Sequence, residues 1–133
     1  MFLDILQEKN KEMFLEACAS AVMPDRSLTE KGRNMVMAYC REMGVAEHIP
    51  RSSNNIVEIT AKLAEQADIS ERRAIALGIL TLIQIEGCLD AKSGIIDDLV
   101  KGLKIGKETM ERLDFLLELC ASAYREIHRT ILG

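Results

Sequence analysis

Apolar residues recur along this chain at spacings of three and four, and one stretch departs from that rule by being apolar on every side. Ala74 to Ile85 carries no ionisable group, and Glu86-Gly87 closes it. A helix that is hydrophobic all round is buried, either in protein or in lipid. The run falls well short of the ~18–20 residues that a bilayer span requires, and Arg72, Arg73 and Glu86 bracket it closely. It is therefore expected to be the central helix of a soluble helical bundle.

The remaining elements can be taken in chain order. Phe2 to Val22 reads as a first helix, with Phe2, Ile5, Leu6, Met13, Ala17, Cys18 and Ala21 on its stripe. The polar patch Gln7–Glu12 weakens that stripe and marks a candidate break near Asn10. Pro24 is expected to stop this helix, because its ring disfavours an α conformation in the residue before it. Ser27-Leu28-Thr29-Glu30 has capping-box spacing, and a second helix follows with Met35, Val36, Tyr39, Cys40 and Met43 on one face. Gly44 suits its C-terminal stop. After a connection through Pro50 and Ser52-Ser53-Asn54-Asn55, a third helix is expected over about Asn55–Ala67, with Ile56, Ile59 and Leu63 on its stripe. Ser70 is the expected cap of the central fourth helix, with Glu71 complementing its N-terminal dipole. Asp90 is the expected cap of a fifth, whose buried face carries Ile95, Ile96, Leu99, Val100 and Leu103.

The last helix is predicted over about Lys107–Leu132. Met110, Leu113, Leu117, Cys120, Tyr124, Ile127 and Ile131 alternate steps of three and four, which is a heptad seam. Such a seam either packs wholly on the bundle or overhangs it and forms a homodimer contact. The pattern as a whole predicts an all-α, single-domain bundle of about six helices over residues 1–133.

Composition narrows the function classes. With 133 residues the chain is long enough for one core, and two Pro and eight Gly leave little room for turn-rich β architecture. A net charge of −4 argues against nucleic acid, whose affinity comes mainly from neutralised phosphates. Cys18, Cys40, Cys88 and Cys120 lie far apart without zinc spacing and read mostly as small core residues. The N-terminus has no basic region, hydrophobic segment and cleavage site of an export signal. Reduced thiols and this missing signal favour the cytoplasm, with no membrane span.

An internal repeat adds a further constraint. Leu15 to Val45 is an apolar helix, a short turn with an acidic start (Asp25-Arg26-Ser27-Leu28-Thr29-Glu30) and an amphipathic helix; Ala76 to Ile105 repeats this around Glu86-Gly87-Cys88-Leu89-Asp90. The second helices align at a shift of about sixty, a duplicated helix-turn-helix hairpin whose halves can bury their faces together. A helix, an Asp-Gly-like turn and an acid about five residues on, occurring twice, resembles the tellurite-resistance TerB-like family over roughly Phe14 to Ile105. The resemblance implies an all-helical fold of two repeated halves and acidic turns that bind a divalent cation. Carried over, the metal-ligating positions are Asp25, Glu30, Glu86 and Asp90, and oxygen ligands of this kind suit Ca²⁺, Mg²⁺ or Mn²⁺. Arg26 stands where the motif has glycine, and Ala91 and Ser93 stand where further acids belong. The resemblance further implies a non-catalytic module that binds a partner protein, a divalent cation or both, in tellurite-type stress resistance. From the residues alone, each acid also reads as a cap or solvated helix end, which leaves a metal-free scaffold as the alternative.

Other motifs carry less. Leu103–Met110 resembles the turn of a DNA-binding helix-turn-helix, but Glu108 and Glu111 beside Lys107 and Arg112 would repel phosphate. His48 and His128 have no nucleophile motif beside them, so no enzyme is expected.

Overall fold

A computed structural model describes residues 2–22, 27–52 and 55–133. Pro24, Asp25, Arg26, Ser53 and Asn54, to which the sequence reading gave roles, lie outside the described residues. Those described form six α-helices and no strand: α1 (Glu8–Val22), α2 (Glu30–Met43), α3 (Ile56–Gln66), α4 (Ile69–Glu86), α5 (Lys92–Leu103) and α6 (Lys107–Leu132). Short 3₁₀ turns at Leu3–Ile5 and Leu89–Ala91 precede α1 and α5. Among the described residues no helix is long and apolar enough to cross a membrane.

The apolar run is the centre of the molecule. Ile75, Ala76, Ile79, Leu80, Leu82 and Ile83 of α4 are fully enclosed, and α4 packs against α1, α2, α5, α6 and the first 3₁₀ turn. Fully burying a side chain of this kind contributes about 1.5–3 kcal/mol, so this one helix organises much of the core. Gly78 lets α1 approach: a Cβ there would stand 2.7 Å from Phe14 Cζ. The Phe14 ring is held in turn by Tyr39, with centroids 5.6 Å apart, and the Tyr39 hydroxyl donates to the Gly78 carbonyl at 2.7 Å. Burial raises the pKa of Tyr39 well above the ordinary tyrosine value.

All four helices of the predicted repeat form, but α1 and α2 do not pack extensively on one another, and the second members pack differently. α2 rests mainly on α4, whereas α5 packs most extensively on α3.

Several caps differ from expectation. α2 is capped by Thr29, whose side chain accepts from Gly32 N–H at 3.2 Å, and not by Ser27. α4 is capped by Asp68, which accepts from Glu71 N–H at 2.8 Å, and not by Ser70. Asp90 lies in the 3₁₀ turn, and α5 begins without a side-chain cap. Gly44 ends α2 in the left-handed conformation, as expected. The break in the first helix falls at Leu6-Gln7 and not near Asn10, because Gln7 N–H bonds to the Glu71 carboxylate and not to a helical carbonyl.

Gly78→Ala tests how tightly α4 is wrapped. Alanine gains about 1 kcal/mol in helix propensity, yet its methyl would enter space held by Phe14. Overpacking costs about 1–3 kcal/mol, so the variant should be less stable in urea denaturation. A variant equal to or more stable than the wild type would show that Phe14 has room to move.

Candidate functional site

Two carboxylates on α4 have places that no local pattern announced. Glu71, 1% exposed, accepts from Gln7 N–H at 3.1 Å, Gln7 Nε2 at 3.0 Å and Asn10 Nδ2 at 2.8 Å. Glu86, also buried, accepts from Thr29 N–H at 3.2 Å and from the Thr29 hydroxyl. Gly32 leaves the room that Glu86 occupies, since a Cβ there would collide with its carboxylate. Buried charge is tolerable only where hydrogen bonds replace water. The two acids therefore tie the start of α1 and the start of α2 to opposite ends of the central helix.

The candidate metal ligands are placed as follows. Glu86 is engaged by Thr29, Glu30 is exposed in the first turn of α2, Asp90 is exposed before α5, and Asp25 lies outside the described residues. Among the described residues no group of three or more His, Cys, Asp and Glu is placed to hold a metal ion. His48 is engaged through both ring nitrogens: Nδ1 meets Ala46 O at 2.8 Å, and Nε2 lies 2.9 Å from Glu12. The Ala46 carbonyl and then the Glu12 carboxylate raise its pKa above the usual histidine value. Cys18 and Cys40 are buried as expected, and burial pushes the Cys18 thiol up. Cys120, in contrast, is exposed.

The most distinctive surface is apolar. Phe2, Leu77, Thr81, Leu113, Leu116, Leu117 and Cys120 line a groove of about 370 Å³ between α4, α6 and the N-terminal turn. An adjoining hollow of about 290 Å³ shares Phe2, Leu77 and Leu113 and extends to Ile5, Ser70 and Arg73. The sequence reading missed this groove because α4 is aliphatic throughout. Its signal was the row Ser70, Arg73, Thr81 and Gln84, four polar residues of α4 at helical spacing on the side of Leu77.

α6 continues beyond the groove. Met110 is buried, and Leu113, Asp114, Leu117, Glu118 and Ala121 are half-buried. Lys92 anchors this half, with its ammonium 2.6 Å from Asp114 and 2.8 Å from Glu118. Burial opposes the Lys92 charge, but the two carboxylates outweigh it and hold the pKa above the usual lysine value. From Ser122 onward every residue is exposed, including Tyr124 at 72%, Ile127 at 56% and Ile131 at 76%. The heptad seam is thus covered over its first half and bare over its second.

No protein-family model, no curated protein and no solved structure matches the chain.

Glu86→Gln separates the two roles of this acid. An anchor on Thr29 loses a charge-assisted acceptor, and hydrogen bonds to charged groups are worth about 1.5–3 kcal/mol. The melting temperature should fall by several degrees. A rise would mean that Glu86 is strained by repulsion from neighbouring acids, as an empty cation site requires.

Proposed function

We propose that this chain is a non-catalytic docking module that binds an apolar helix along α6. The observation that carries this reading is the continuity of the α4–α6 groove with the bare half of α6. Leu113, Leu116, Leu117 and Cys120 form one wall of the groove, and the same side of α6 goes on through Tyr124, Ile127 and Ile131. Side-chain groups for catalysis do not converge on this surface; its lining is aliphatic and aromatic, with Thr81 and Cys120 as the polar exceptions. Apolar grooves of this form suit an amphipathic helix that places residues at i, i+3/i+4 and i+7 into them. The acidic turns do not enter this proposal, because the Glu86 carboxylate is already committed to Thr29.

The test is titration of the Ile127→Asp protein, whose own bare helix is spoiled as a competitor, with a labelled four-turn Leu/Lys amphipathic helix. Fluorescence anisotropy should show binding, and adding Phe2→Asp at the groove wall should weaken it at least tenfold. Absence of binding, or binding indifferent to Phe2→Asp, overturns the docking reading.

A further inference from the structure

Resting on that reading, we infer that the occupant of the groove is the bare half of α6 from a second copy, exchanged reciprocally about a two-fold axis. The strip on α6 is a single apolar surface with two unequal halves. Leu113 to Cys120 is flanked by Leu77, Thr81 and Phe2, while the half from Ser122 onward has no wall. Each half lacks what the other would supply. Turned through a two-fold axis near Ser122, an antiparallel α6 lays its bare half over the walled half of its partner. In that register Tyr124 meets Cys120, Ile127 meets Leu117 and Ile131 meets Leu113 of the other copy. A contact of this kind is self-complementary and closes at two subunits.

Three measures agree. The floor of the groove on α4, Ser70 to Thr81, and the bare segment, Ser122 to Leu132, are each about 16 Å long at 1.5 Å per residue. The strip formed by Leu113, Leu116, Cys120, Ala123, Tyr124, Ile127 and Ile131 contains no charge; Arg73 and Glu126 lie beside it. The exposed apolar side chains along it, with Phe2 and Leu119, offer on the order of 700 Å² per copy, close to the ~800 Å² per partner of a standard interface. Helix stability points the same way. A helix end without packing opens locally at little cost, and this one contains Ile127, Thr130 and Ile131, whose β-branches lower helix propensity. Paired against a second copy, it is held along its whole length.

Sedimentation velocity on the full chain from 1 to 100 µM tests the exchange. The wild type should sediment as a dimer. Ile127→Asp on the bare half and Phe2→Asp on the groove wall should each raise the dissociation constant at least tenfold, with far-UV circular dichroism unchanged. Both positions are more than half exposed, so neither substitution threatens the fold. A wild-type monomer at 100 µM overturns the exchange, and so does a dimer indifferent to Phe2→Asp, which would pair α6 helices without using the groove. If the monomer still binds the Leu/Lys helix at the groove, the docking reading survives without the second copy; if it binds none, both readings fall.

Discussion

The burial of α4 is the constraint on which the other elements depend. Its aliphatic residues point in every direction, so helices must cover it on several sides at once. Apolar burial is non-directional, however, and would accept many arrangements of α1, α2 and α5 around it. Direction comes from the two acids at its ends. Glu71 requires donors and finds them on Gln7 and Asn10; Glu86 finds Thr29. Each leaves a buried charge uncompensated if its partner element shifts. Wrong packings are thereby penalised by more than a few apolar contacts could restore.

The same arrangement leaves one side of α4 thinly covered. Residues of α6 reach Leu77 but do not close over it, and Phe2 stands at the edge of the gap. Lys92, held between Asp114 and Glu118, fixes how far α6 remains attached to the bundle. Past that clamp the helix continues into solvent with its apolar stripe unbroken. Groove and bare helix thus share one origin: α6 is longer than the bundle it leaves, and the α4 face beside it is left partly open.

How much of this was legible in the sequence depended on the range of the interactions. The apolar run of α4, the stripes of α3 and α5 and the seam of α6 are local patterns, and each element lies where its pattern placed it, to within a few residues. The caps misled because Ser27 and Ser70 compete with the equally suitable neighbours Thr29 and Asp68, of which Thr29 is also held by Glu86; Asp90 is taken up in a 3₁₀ turn, and α5 has no side-chain cap. Glu71 and Glu86 read as ordinary helix-end acids, since their donors lie far away in sequence and no spacing links Glu71 to Gln7 or Glu86 to Thr29. The seam of α6 was legible from Met110 to Ile131. Which half would be covered was not, because that depends on the length of the assembled bundle. The acid set drawn from the TerB-like resemblance rested on short turn motifs, and Glu86, its most buried described member, accepts hydrogen bonds from Thr29.

The central claim is that α6 is one helix in two environments, anchored up to Glu118 and dependent on a partner from Ser122 onward. Amide hydrogen exchange resolved by residue tests it most directly. At sub-micromolar concentration, Ile75–Ile83 of α4 should exchange only through global unfolding, whereas Ala123–Ile131 should exchange orders of magnitude faster and become protected as concentration rises. Uniform protection along α6 at every concentration would contradict the account, because the second half of the helix would then be stable without a partner.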